Sequence, residues 1–166
     1  MSSSVVTLNV NGESREFLCR PGTTLLDALR DNLQLTAAKK GCAQGSCGTC
    51  TVLLEGRAVF ACLVPVETIT GRSVETLEGL SSGDTLHPLL EAFIAGFATQ
   101  CGFCTSGMIL AAKALLRANP DPTRDDVIRA ISGNVCRCTG YESIVEAILV
   151  AASRLREAVP RKRAAE

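Results

Sequence analysis

Eight of the nine cysteines fall into two sets of four, at a density that points to metal binding or redox chemistry. The first set is Cys42, Cys47, Cys50 and Cys62, spaced C-x4-C-x2-C with the fourth after eleven intervening residues. The first three match the spacing of a [2Fe–2S] cluster loop. That loop, "GCAQGSCGTC" (41–50), carries three glycines and no charge. A cluster with bridging sulfides is compact and electron-rich, so a loop around it must curl and turn its N–H groups toward sulfur. Gly41, Gly45 and Gly48 permit the positive φ values and close approach that this needs.

The second set is Cys101 and Cys104 (C-x2-C) with Cys136 and Cys138 (C-x-C), the two pairs separated by 31 residues. On residue types alone this set stays open between iron–sulfur and zinc, since C-x2-C is also the usual zinc half-site. Nine is odd, so disulfides could not use every thiol, and a reducing cytosol disfavours them. A thioredoxin-like role for Cys101 and Cys104 would want a βαβ pattern, and none is legible. Cys19 sits on a predicted strand and reads as a small buried hydrophobe.

The elements that must position these thiols divide the chain in two. "VVTLNVNG" alternates Val6, Leu8 and Val10 on one face and reaches Asn11-Gly12, a tight hairpin signal, with "SREFLC" as the return strand. Thr24 opens a short helix to about Asn32, with Asp27 completing a capping box. "CTVLLEG" and "RAVFACLV" form a second hairpin turning at Glu55-Gly56, its second strand carrying Cys62, and a last strand lies in "ITGRSVETLEG". Beyond "LEGLSSGD" the periodicity becomes helical. Leu86, Leu89, Leu90, Phe93, Ile94 and Phe97 predict one wide apolar face. Helices follow over 107–118, after a Thr123 cap, and with Ile144, Ile148, Ala151, Ala152 and Leu155 on one stripe. Four helices with short connections predict a bundle whose turns hold the second cysteine set. The fold class is α+β, divided 1–78 and 79–160, with 161–166 a solvated tail.

Composition excludes several function classes. Lys+Arg and Asp+Glu are both 17 in 166 residues, and the aromatics are five Phe, one Tyr and no Trp, so neither a basic footprint nor a base-stacking surface for nucleic acid is present. No signal peptide and no membrane-length apolar run are visible, which predicts a cytoplasmic chain. No dinucleotide-binding glycine fingerprint occurs either.

"GCAQGSCGTCTV", "QCGFCTSGMI" and "GNVCRCTGY", in that order, resemble the small iron–sulfur subunit of the molybdenum hydroxylases, the xanthine dehydrogenase family, over about residues 5–155. The resemblance implies a β-grasp ferredoxin-like domain followed by a four-helix bundle domain, each with one [2Fe–2S] cluster. Cys42, Cys47, Cys50 and Cys62 would hold the cluster nearer a flavin. Cys101, Cys104, Cys136 and Cys138 would hold the one nearer a molybdenum–pterin cofactor, with Gln100 and Cys138 against the pterin. It also implies a large molybdopterin-binding subunit, a medium FAD-binding subunit, an (αβγ)2 assembly, and single-electron relay between molybdenum and flavin. In one place the chain departs from the family pattern: Ser106 stands where proline is common, and serine there can cap the helix and leave the loop looser. Two other classes compete: a free-standing ferredoxin, which would not need the helical half, and a zinc-stapled structural module.

Overall fold

Asn11 and Gly12 take positive φ (53° and 87°) and fold β1 (Ser4–Val10) straight back as β2 (Glu13–Cys19), the twist-matched hairpin their types favour. Along β1 the side chains of Val6, Leu8 and Val10 are buried and that of Val5 is exposed, as alternation requires. Residues 3–83 and 85–158 are described by the computed structural model; the tail expected at 161–166 lies outside them.

A second hairpin, β3 (Thr51–Leu54) and β4 (Arg57–Phe60), turns at Glu55-Gly56, and β5 is Ser73–Glu75. The sheet order is β2-β1-β5-β3-β4, with β1 parallel to β5 and the other neighbours antiparallel. Thr24 caps α1 (Leu25–Asp27), its Oγ1 accepting from the Asp27 N–H at 3.1 Å, and the chain continues as a wider helical turn to Asn32. Leu25, Leu26 and Leu29 from this segment are buried in the core. A two-residue-per-strand ribbon, β6 (Ser81–Ser82) with β7 (Thr85–Leu86), leads into the helices.

The helices are α2 (Pro88–Ala95), α3 (Thr105–Ala118), α4 (Arg124–Ile131) and α5 (Glu142–Ala158). Helix α2 packs on α5, α4 on both α3 and α5, and α3 also lies on β3 and β4. That double contact explains α3's sequence: Met108 through Ala112 are five consecutive buried residues, the mark of a helix covered on more than one side. Thr123 and Asp126 form the predicted cap, here a reciprocal capping box. Ile144, Ile148, Ala151 and Ala152 are the buried stripe of α5, with Leu155 partly covered.

The wide apolar face predicted for 86–97 is not formed. Helix α2 has only eight residues and buries Leu89, Ala92 and Phe93. Leu86 belongs to β7, and the chain leaves the helix at Gly96, with Phe97 at φ 51°. Two helical turns can bury only a narrow stripe, so Ile94 is 62% and Phe97 84% exposed.

Glu75, on the sheet's central β5, ties the sheet to α3 by ion pairs to Lys113 (2.6 Å) and Arg117 (2.9 Å). Partial burial raises its carboxyl pKa, but the two cations outweigh burial and hold it below the ordinary carboxylate range. A depressed folded-state pKa contributes stability above the unfolded value, about pH 4, that is lost as pH falls through the folded value. Glu75→Gln is therefore expected to cost about 1 kcal/mol at pH 7, and the difference from wild type should shrink progressively as pH falls below about 4. Thermal unfolding across that pH range measures it.

Candidate functional site

All nine cysteines are thiols, and eight of them lie on loops that meet where α3 abuts the sheet. Cys42, Cys47 and Cys50 are on the loop before β3. Cys62 lies on a single 3-10 turn (Ala61–Leu63) just beyond β4, one step later than the strand position predicted from sequence. Cys101 lies between α2 and α3, and Cys104 is the residue that α3 grows from. Cys136 and Cys138 lie between α4 and α5. Cys19 is buried in the core, its thiol 3.6 Å from the Ser4 hydroxyl, and belongs to neither set.

Within each set the thiols come together two by two. Cys101 and Cys138 are 3.6 Å apart, sulfur to sulfur. The Cys136 side chain lies near enough to Cys104 to shift its ionisation, and Cys62 and Cys47 lie near enough to do the same to Cys50 and Cys42. Coupling also runs between the pairs: Cys47 acts on Cys50 and Cys101 on Cys104 through space, and the Cys138 backbone N–H favours the Cys136 thiolate. Among the described residues no three His, Cys, Asp or Glu side chains gather as one metal ion would require. A tetrahedral zinc ion draws four donors around one centre. A [2Fe–2S] cluster likewise takes four thiolates, and the four cysteines of each set fit that demand in type and number.

The backbone around the first set is shaped for sulfur. Cys42 Sγ accepts from the N–H groups of Ser46 (3.4 Å) and Gln44 (3.5 Å). Interaction with Ser46, then these N–H groups, lowers the Cys42 thiol to about 6. Gly41 does not have positive φ; it is there for room, since a Cβ would stand 2.7 Å from Thr49 Oγ1 and 3.0 Å from Cys47 Sγ. Cys50 is pushed up to about 11 and Cys104 to about 12, in each case chiefly by burial. Burial also opposes ionisation of Cys136, but hydrogen bonds led by the Thr139 hydroxyl bring it down to about 7.

The two cysteine loops touch. Asn134, 4% exposed, donates from Nδ2 to Gly48 O (2.9 Å) and to Thr51 Oγ1 (3.2 Å). The next N–H, of Val135, donates to Cys47 O at 2.9 Å. Gly48 has φ 70°, and a Cβ on it would lie 2.5 Å from Gly133 O. A Cβ on Gly107 would lie 2.4 Å from Gly48 O, so α3 meets this loop backbone to backbone. Ser106 does not cap α3: it is buried, and its hydroxyl donates to Ala37 O at 2.6 Å across the two halves. Asn134 and Thr51 were not singled out by spacing; a polar amide immediately before a Val-Cys step is the one signal that was available.

Gln100 is exposed between α2 and α3, and its Nε2 donates to Cys138 O at 3.2 Å. The amide and the thiol at Cys138 thus share one open edge, with Cys101 exposed beside them. Phe97, Phe103 and Val135, all on the same connecting loops, leave apolar surface uncovered.

Residues 8–75 match the family described as a 2Fe-2S iron-sulfur cluster binding domain, and residues 76–149 that described as a [2Fe-2S] binding domain. The small subunit of nicotine 6-hydroxylase from Paenarthrobacter nicotinovorans is 49% identical over 150 residues, 90% of each chain. The small FeS subunit of nicotinate dehydrogenase from Eubacterium barkeri is 44% identical, covering 93% of this chain and 98% of its own. In the crystal structure of quinoline 2-oxidoreductase from Pseudomonas putida 86, a 44% identical chain superposes with a TM-score of 0.90 over 94% of this chain and 98% of that one. The aldehyde oxidoreductase of Desulfovibrio desulfuricans ATCC 27774 gives 0.89 at 48% identity, with 92% of this chain matching 17% of that longer chain.

Because the thiolate is the reactive form, metal-free protein should alkylate in a set order as pH rises. Cys42 is expected to label with a half-point near pH 6 and Cys136 near 7, while Cys50 and Cys104 stay protected until about 11 and 12. Iodoacetamide labelling mapped by mass spectrometry reads this directly, and labelling of Cys50 ahead of Cys42 at neutral pH would contradict it.

Proposed function

The chain belongs to the small iron–sulfur subunits of the molybdenum hydroxylases, and from that premise we propose which residues do the work. Cys42, Cys47, Cys50 and Cys62 hold one [2Fe–2S] cluster, and Cys101, Cys104, Cys136 and Cys138 hold the other. The observation that supports this reading is that each half matches a [2Fe-2S] binding family over the residues that hold its four cysteines, with Cys101 and Cys138 at 3.6 Å. When bound, the two clusters supply one-electron chemistry, so the chain is an electron-transfer subunit of a molybdenum-containing oxidoreductase and not a complete enzyme.

The protein's own contribution is placement and insulation. The halves are read as a β-grasp domain over 1–78 and a four-helix domain over 79–160, fused at the Asn134 contact. Cys50, Cys62 and Cys104 lie buried, which keeps water from the inner side of each site. Cys101 and Cys138 stay exposed, and a bare second site would be open to solvent and oxidants. Partner subunits cover that edge in this reading: a large molybdenum–pterin subunit against Gln100 and Cys138, and a medium FAD-binding subunit on the side of the first site, in an (αβγ)2 assembly. The exposed apolar side chains of Phe97, Phe103 and Val135 favour a permanent partner over a free-standing ferredoxin. No helix among the described residues is long and apolar enough to cross a membrane, and a cytoplasmic location is part of the same reading.

The purified complex is expected to carry about four iron and about four acid-labile sulfides on this subunit. Cys62→Ser should remove one of two distinct reduced-cluster signals in electron paramagnetic resonance and leave the other. Zinc without labile sulfide, or loss of both signals together in a folded variant, would contradict the assignment.

A further inference from the structure

We propose that the Thr139 hydroxyl donates a hydrogen bond to the sulfur of Cys136 and so raises the reduction potential of the second cluster. The inference rests on the ligand assignment above.

Thr139 Oγ1 lies 3.2 Å from Cys136 Sγ. A hydroxyl has one proton and two lone pairs. The Tyr141 N–H donates into one of those lone pairs, with N to Thr139 Oγ1 at 3.2 Å. Among the described residues no carbonyl or carboxylate competes for the Thr139 proton. A metal-bound thiolate has no proton of its own, so the bond can run only from oxygen to sulfur.

The loop is built to hold this direction. Tyr141 grips it at two points: its N–H lands on Thr139, and its phenolic oxygen accepts from the Cys136 N–H at 2.8 Å. Its backbone sits at φ 69°, a region costly for an aromatic residue and kept only where surrounding contacts impose it. Thr139 and Tyr141 together bracket Cys136. The first site has a superficially equal threonine, Thr49, 3.2 Å from Cys47 Sγ. Its single proton is contested, because Lys39 O lies 3.1 Å away as a competing acceptor. Thr139 is committed to sulfur where Thr49 is divided.

Reduction adds one electron to a cluster, and part of that charge spreads onto the thiolate sulfurs. A donor aimed at sulfur stabilises the added charge, which favours the reduced form. The Thr139 proton stays on its oxygen throughout; no bond is made or broken.

The test is a potentiometric titration of the holoenzyme followed by electron paramagnetic resonance. Thr139→Val, close in shape but without the hydroxyl, should move one of the two midpoint potentials downward and leave the other fixed. Thr139→Ser should restore it. Thr49→Val should shift the other cluster, and by less. Thr139→Ala serves as a second variant in case valine crowds the loop. Two clusters present by iron and sulfide content with unmoved potentials in the valine or alanine variant would overturn the inference. So would loss of the second cluster from both variants with its retention in the serine variant, which would make Thr139 an assembly residue. A wild-type enzyme lacking labile sulfide would instead bring down the ligand assignment itself.

Discussion

One buried carboxamide holds two cysteine loops in contact. Asn134 comes from the turn after α4 and spends its N–H groups on Gly48 O and Thr51 Oγ1, at the base of the loop that carries Cys42, Cys47 and Cys50. Asn134 can reach those acceptors only because Gly48 and Gly107 lack side chains where the backbones converge. An amide donor left unpaired in that position would cost on the order of 1–3 kcal/mol, so the seam is both tight and specific. Val135 N–H on Cys47 O extends it by one residue on each strand of the contact. That contact joins the loop of the first cysteine set to the turn that carries Cys136 and Cys138. Electron transfer between sites falls off steeply with separation, so a fixed separation is the property the fold most needs to supply.

Around this seam the environments of the thiols differ. Cys42 and Cys136 have hydrogen-bond donors that favour the thiolate, whereas burial keeps Cys50 and Cys104 protonated. Ligand thiols must lose their protons to bind metal. Each set thus has one thiol held below its ordinary value by hydrogen bonds and one held above it by burial, the latter lying toward the core.

Much of this was legible in the sequence because the governing signals are local. Asn11-Gly12, Glu55-Gly56, the Thr123 cap and the alternation of Val6, Leu8 and Val10 each depend on a few adjacent residues, and each appears as expected. Cysteine spacing favours a [2Fe–2S] loop for the first set and leaves the second open to zinc; that Cys101 approaches Cys138, 37 residues away, is something no local spacing could show. The apolar run at 86–97 misled, because hydrophobic spacing cannot separate residues that face the chain's own core from Ile94 and Phe97, which face outward. Ser106 misled for a related reason: its partner, Ala37 O, is 69 residues away, and no local rule could name it.

The central claim is that the Asn134–Gly48–Gly107 contact fixes the two metal sites relative to each other. The direct measurement is the magnetic coupling between the two clusters in fully reduced holoenzyme, compared between wild type and Gly107→Val. The account predicts a single sharp coupling in wild type that broadens or vanishes in the variant while both clusters remain. An unchanged coupling in a variant that retains both clusters would contradict it.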